Sequence, residues 1–153
     1  MKPALIMSLV TIVAAAGIPA AFRAYYSITD SANAQVTLST ALTVLRSELG
    51  TASQVTVDTD SGTITYRSSS NGSLNRICLS DDGILLREYV GTSYETERSL
   101  VSSETASKTM TVLYDASGLA YEDGLLTIRN IAVKKDTSTL ASVEQYTIRT
   151  AEK

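Results

Sequence analysis

The sequence predicts an α+β protein in which one long N-terminal α-helix, apolar in its first half, packs against an antiparallel β-sheet of about six or seven strands. Three observations predict this class. Residues 3–22 carry no charged side chain, and no proline follows Pro19 in the 153-residue chain. No glycine lies between Gly17 and Gly50. After Gly50 the apolar residues change from helical spacing to alternation, which is typical of strands.

The N-terminal segment has the length of a helix that is buried on all sides. About 20 apolar residues cross a hydrocarbon core of about 30 Å, and residues 3–22 meet that length. Pro3 suits the first turn of a helix. Pro19 removes a backbone hydrogen bond, so we expect a kink or local melting there. Residues 1–23 are therefore expected to form an apolar half-helix. Its sequence fits a cleavable signal, a plain membrane anchor, or the first half of a longer helix.

The helical pattern continues beyond the apolar segment and becomes amphipathic. One stripe of apolar residues follows the spacing i, i+3, i+4, i+7, i+11 and comprises Leu38, Ala41, Leu42, Leu45 and Leu49. Gly50 is a natural stop just after the last of them. We expect a helix from about Pro3 to Leu49, whose Leu38, Leu42, Leu45 and Leu49 pack on the sheet. The globular part is then residues 24–153, with the half-helix at 24–50 and the sheet at 54–150.

Alternation of apolar and polar residues predicts the strands of this sheet. They are expected at residues 54–58, 63–67, 76–80, 84–88, 110–114, 125–133 and 143–149. Short turns rich in Asp, Asn and Gly join the first of them, which favours hairpin connections. The polar stretch 89–108 has a weak pattern, and we expect a surface loop with at most one short strand. One face of the sheet should cover the amphipathic half of the helix.

Composition argues against an enzyme and against a nucleic-acid-binding protein. The chain has no histidine, which removes the commonest general base and metal ligand. Its 13 basic and 16 acidic residues give a net charge of −3 and no basic patch. The single cysteine, Cys78, lies between two apolar residues and is expected to be a buried small hydrophobe. We predict no catalytic residues and no cofactor.

Clusters of carboxylates are better explained as turns than as metal sites. Asp58 with Asp60, and Asp81 with Asp82, lie in glycine-containing turns and lack the later ligands of a calcium loop. The loop that holds Asp115, Glu122 and Asp123 is a weaker calcium candidate, and we predict no metal. Residues 71–73 match a glycosylation acceptor, but Asn-Gly is also a standard tight turn, which we favour.

The segment IVAAAGIPAAFRAYYS, residues 12–27, and the amphipathic run to Gly50 resemble the type IV pilin and pseudopilin family. Pilins commonly show an Ala/Ile-rich run, then a proline, then the first charged and aromatic residues. The segment LSTALTVLRSELGTASQVTV, residues 38–57, also looks like the helix-to-strand junction of minor pilins. The resemblance covers about the first third of the chain well and the remainder only in outline.

The chain departs from the family pattern at its start. Pilins usually carry a glutamate inside the apolar segment, and the corresponding position here is Lys2 or Leu5, depending on the alignment. The first acidic residue is Asp30. There is also no short basic leader ending in glycine before the apolar run. We expect Lys2 to stay solvated rather than to pair inside an assembly, because a buried unpaired charge is costly.

The resemblance implies a structural function. The chain would be a subunit of an extracellular or periplasm-spanning type IV pilus-like filament, built from copies of itself or from other pilins. The subunit would lie in the bacterial inner membrane before assembly and in an extracellular pilus afterwards, where such filaments serve adhesion or secretion. Assembly would use the core helix, and the residues assigned to it are Met1, Leu5, Leu9, Ile12, Ala16, Pro19 and Phe22. Methylation of Met1 would accompany pilin-type processing.

A second function remains open from the sequence. In this interpretation residues 1–22 are only a signal or an anchor, and the remaining domain is a secreted or membrane-anchored β-domain that binds a ligand.

Overall fold

A computed structural model describes residues 3–90, 93–101 and 109–151, excluding the side chains of residues 3–14, 16, 90 and 95. The helix α1 spans Pro3–Leu49. The strands are β1 (Ser53–Asp58), β2 (Thr63–Arg67), β3 (Leu74–Ser80), β4 (Gly83–Val90), β5 (Ser93–Ser99), β6 (Met110–Leu113), β7 (Ala120–Glu122), β8 (Leu125–Lys135) and β9 (Ser138–Arg149). A short 3-10 turn lies at Ala116–Gly118. The α+β class predicted from the sequence is confirmed.

The chain divides into two compact units, Met1–Ala32 and Asn33–Lys153. The first unit therefore includes residues 24–32, which the sequence assigned to the globular part. Ala34 is the first residue of the helix, among those whose side chains are described, that is fully buried. The second unit contains both sheets and the last turns of the helix.

The helix runs without interruption through Pro19, so the predicted local melting is wrong. The proline nitrogen has no hydrogen to donate to the carbonyl of Ala15, which removes one helical hydrogen bond. The flanking residues are rich in alanine, the best helix former, and this composition favours the helical backbone on both sides of the missing bond.

In the second unit the helix buries one face. The buried residues are Ala34, Thr37, Leu38, Ala41, Leu45 and Leu49, and Leu42 is half-buried beside them. These positions recur at helical spacing and include all four leucines that the sequence assigned to helix–sheet packing. Ala34 and Thr37 extend the face toward the N-terminus, where small side chains allow close approach of the helix to the sheets.

The strands form two antiparallel sheets rather than one. The first sheet is a meander in the order β1-β2-β3-β4-β5. In the second sheet β8 is central, with β9 on one side and the short strands β6 and β7 on the other. The described residues contain nine strands where the sequence predicted six or seven. The extra ones are β5, inside the polar stretch 89–108, and β7, which is three residues long.

Tyrosines from both sheets are hydrogen-bonded to the helix. Tyr66 on β2 donates to Glu48 Oε2 at 3.1 Å, and Tyr146 on β9 donates to the carbonyl oxygen of Leu42 at 3.3 Å. Arg98 on β5 lies 3.6 Å from the other oxygen of Glu48. These contacts fix the last turns of the helix against the two sheets at once.

A third tyrosine links the two sheets to each other. Tyr114, which follows β6, donates a hydrogen bond to the carbonyl of Gly62 in the turn between β1 and β2. Gly62 has φ of +70°, and a Cβ there would lie 2.7 Å from Leu79 and 2.9 Å from Ala116. Glycine is therefore needed at this junction both for its backbone conformation and for space.

Burial changes the acidity of these phenols. Desolvation, with the charge of Glu48 and the hydrogen bond to it, raises the pKa of Tyr66 above its ordinary value. Burial likewise raises the pKa of Tyr114. Both side chains are thus neutral in the folded protein where a free tyrosine has begun to ionise.

Leu45→Ala should lower the free energy of unfolding by about 2–5 kcal/mol, because Leu45 is fully buried and its truncation leaves a cavity. Val36→Ala is the matched control on the same helix. Val36 is 56% exposed, so its change should stay within about 0.5 kcal/mol. Urea unfolding followed by circular dichroism measures both, and equal effects would show that the helix does not pack by this face.

Stability should fall as pH rises above about 10, the ordinary tyrosine pKa, because the unfolded chain can release phenol protons that the folded chain retains. The contribution of the raised pKa values is fully present below that pH. Tyr66→Phe and Tyr114→Phe together should flatten the loss between pH 9.5 and 11, although they lower stability at neutral pH. Tyr94→Phe, at a ring that is 56% exposed, should leave the slope unchanged. Unfolding free energies measured across this range test the prediction, and it is wrong if the double variant keeps the original slope.

Candidate assembly interface

Large apolar side chains are exposed along the described part of the first unit. The exposed fractions are 56% for Ile18, 56% for Phe22, 63% for Tyr25, 62% for Tyr26 and 70% for Ile28. Isolated exposed apolar residues are ordinary, but a contiguous group of them marks an interaction surface. We call residues 18–28 the apolar segment surface.

Three of these side chains form one ridge. Ile18, Phe22 and Tyr25 follow the helical spacing i, i+4, i+7, so they lie above one another on the same side of the helix. Together with Ala21 they line a shallow apolar groove. Because Ala21 is small, a helix from another molecule can approach the backbone closely at this point.

The aromatic rings of this surface support one another. The rings of Phe22 and Tyr26 are 6.5 Å apart between centroids and nearly parallel, with 26° between their planes. Tyr25 meets Tyr26 edge to face at 5.8 Å. Such pairs restrict the rings to few orientations, which lowers the entropy that is lost when a partner covers them.

The surface is almost free of charge. Arg23 is the only charged residue between Pro3 and Thr29, and it is exposed. A long arginine side chain can lay its methylene groups along apolar surface and keep its charge in water. Covering this segment therefore requires the desolvation of at most one charge per molecule.

The predicted assembly residues fall partly within the described side chains. Pro19 and Phe22 are both exposed on the helix. Leu5, Leu9, Ile12 and Ala16 belong to the helix, but their side chains lie outside the described residues, and so does Met1. Ile18 was not assigned to the interface from the sequence. The sequence nevertheless shows that Ile18, Phe22 and Tyr25 follow the helical spacing i, i+4, i+7.

Two of the carboxylates considered for metal binding, Asp58 and Asp115, cap turns. Asp58 accepts hydrogen bonds from the Asp60 backbone at 3.0 Å and from the Ser61 hydroxyl at 2.8 Å, and the Ser61 bond is the main cause that lowers the pKa of Asp58. Asp115 caps the 3-10 turn through Ser117, whose hydroxyl bond likewise lowers the pKa of Asp115.

No group of three or more His, Cys, Asp or Glu side chains among the described residues is placed to hold a metal ion. Asn71 accepts a hydrogen bond from the Ser73 backbone at 2.9 Å, which is the geometry of a tight turn. Cys78 is buried.

Within the described residues, no helix combines the length and the apolar character that crossing a membrane requires.

Comparison of the chain with protein-family models, with curated proteins and with solved structures found no match.

Two substitutions should strengthen the helix next to the exposed ridge. Pro19→Ala restores the hydrogen bond to the carbonyl of Ala15 and removes a penalty of about 3 kcal/mol for proline inside a helix. Gly17→Ala should add about 1 kcal/mol, since a Cβ at Gly17 meets no atom within 4 Å outside its own helix turns. Slower amide exchange over residues 16–22 is the expected result, with the larger effect from Pro19→Ala. Unchanged exchange in both variants would contradict it.

Proposed function

We propose that this chain is a structural subunit of a type IV pilus-like filament, extracellular or periplasm-spanning, and that it assembles through its N-terminal helix. The partners are copies of the chain or related subunits. The subunit lies in the bacterial inner membrane before assembly and in the filament afterwards.

One observation carries the proposal: the exposed, uncharged ridge of Ile18, Phe22 and Tyr25 on a helix that continues to Leu49. An apolar ridge on a helix is stabilised when a similar surface covers it. The absence of charge continues toward the start of the chain, because residues 3–22 contain no charged side chain. The helical bounds and the resemblance of residues 12–27 to pilins support the same conclusion.

The proposed mechanism exchanges one apolar environment for another. Lipid surrounds the uncharged segment before assembly, and helices of neighbouring subunits replace that lipid afterwards. Because lipid tails are as apolar as the side chains, association depends on close packing and hydrogen bonds rather than on exclusion of water. Small residues at positions 14–17, Ala-Ala-Ala-Gly, allow helices to approach closely. Head-to-tail contacts of this kind do not close, and they build an open helical polymer.

Phe22→Glu should reduce assembly of the full chain at least about tenfold, because burying an unpaired carboxylate in an apolar interface costs several kcal/mol. The measurement is the fraction of protein that sediments as filaments after detergent is removed, with electron microscopy of the pellet.

The matched control is Leu125→Glu, which also adds a carboxylate at a partly exposed apolar residue, here 37% exposed on β8. It should assemble like the unmodified chain. If Phe22→Glu assembles normally, or if the unmodified chain stays monomeric, the filament function is wrong. A monomeric chain would favour the alternative of an anchored or secreted ligand-binding domain.

A further inference from the structure

Three arginines lie close together on the outward face of the first sheet. Arg76 on β3 and Arg87 on β4 are directly opposite each other in register, and Arg67 on β2 lies diagonally across from Arg76 on the same face. Like charges directly opposite on adjacent strands are destabilising. We call Arg67, Arg76 and Arg87, with Tyr89 and Tyr94, the arginine face.

Contacts within the face hold the guanidinium groups in place. Arg76 lies over the ring of Tyr89 at 4.8 Å and Arg87 over the ring of Tyr94 at 5.5 Å. The two rings meet edge to face at 6.2 Å. Stacking of this kind orients a guanidinium while leaving its edge N–H groups available to an incoming oxyanion.

Only one carboxylate among the described residues pairs with this face. Glu97 on β5 forms an ion pair with Arg87. Arg67 donates to the amide oxygen of Gln54 at 3.0 Å and to the carbonyl of Gly72 at 2.7 Å, and both of these acceptors are uncharged. The three arginines and Glu97 therefore leave an excess of two positive charges in a chain whose net charge is −3.

The opposite charge is concentrated at one end of the same sheet. Asp58 ends β1 and Asp60 lies in the β1–β2 turn, while Asp81 and Asp82 form the β3–β4 turn, and all four are exposed. The two turns adjoin, since Gly62 in one lies against Leu79 beside the other. Neither turn contains a basic residue. We call these four aspartates the acidic end.

The acidic end cannot neutralise the arginines of its own chain. Asp81 is five residues from Arg76 along β3, and Asp82 is five residues from Arg87 along β4, which is about 16 Å at strand spacing. That separation is about twice the Debye length at physiological ionic strength. The arginine face is therefore free to attract carboxylates of another molecule.

We propose that the acidic end of one copy docks on the arginine face of the next copy. The two surfaces are complementary in charge, four negative against an excess of two positive, and every copy contributes one of each. The contact joins two different surfaces, so it propagates rather than closes. This inference rests on the proposed function, since it adds a second contact to the helix-driven filament.

Charge reversal of the full chain tests the docking. Arg76→Glu with Arg87→Glu should reduce the sedimented fraction about tenfold, because the face then carries an excess of two negative charges opposite four aspartates. Asp81→Arg with Asp82→Arg should also reduce it, because the charge of the acidic end falls from four negative to zero and the attraction is lost. Combining all four substitutions should recover part of the assembly that each pair loses, because the exchanged positions attract each other again while Asp58 and Asp60 stay negative. The matched control, Lys134→Glu with Arg149→Glu, changes the net charge of the chain as much as the arginine pair does, at exposed residues of the second sheet. It should assemble normally.

A covalent readout does not depend on the stability of the reversed variants. A chain with Arg76→Cys and Asp82→Cys should form a ladder of disulfide-linked oligomers on mild oxidation of the assembled protein. Lys134→Cys with Arg149→Cys should form none. Absence of the ladder in the first variant, or an equal ladder in both, would overturn the docking.

These experiments distinguish the docking of the acidic end on the arginine face from the contact between N-terminal helices. If Phe22→Glu prevents assembly while every charge variant assembles like the unmodified chain, the docking is wrong and the filament function stands. Failure of the unmodified chain to assemble would overturn both. Binding of heparin or single-stranded DNA that depends on Arg76 and Arg87, with no effect of those residues on assembly, would assign the face to an acidic polymer and overturn the docking.

Discussion

Burial of one helical face in the second unit is the interaction on which the rest of the sheet architecture depends. Leu38, Leu45 and Leu49 are the large side chains of that face, and they belong to the same buried cluster as apolar side chains of both sheets. The stripe also fixes the rotation of the helix about its axis.

The polar contacts around this face determine where the helix lies along the sheets, which apolar burial alone determines only weakly. Apolar burial alone would tolerate a helix shifted by one turn, because the stripe repeats. The hydrogen bond of Tyr66 with the Glu48 carboxylate is satisfied in one position only. A shift of one turn moves that carboxylate by about 5.4 Å and breaks the bond. Tyr146 does not discriminate in this way, because its acceptor is the Leu42 carbonyl and backbone carbonyls recur at every turn. Tyr66 therefore selects the position that the leucines stabilise.

The helix was predictable from sequence because its signals are local, whereas the division into two sheets was not. The bounds Pro3–Leu49 and the leucine stripe follow from spacing and from Gly50. The residues of β5 whose side chains are described are exposed, so no alternation reveals that strand. In β8 the buried positions pass from Ile128 to Ile131 across Asn130, whose φ is +54°, and this breaks the period of two. For the interface, the family pattern indicates Pro19 and Phe22, while Ile18 follows only from its helical spacing to Phe22 and Tyr25.

Pro19 has a consequence for the choice of partner. The carbonyl oxygen of Ala15 has lost its helical donor, and in lipid or in a packed bundle no bulk water replaces it. An unsatisfied buried acceptor costs about 1–3 kcal/mol. A neighbouring helix that offers a hydroxyl at this depth relieves the penalty, and one that offers only aliphatic groups does not. In the proposed assembly, the proline would make the uncharged segment selective, because a neighbour would be favoured at the stagger where its donor meets that single oxygen.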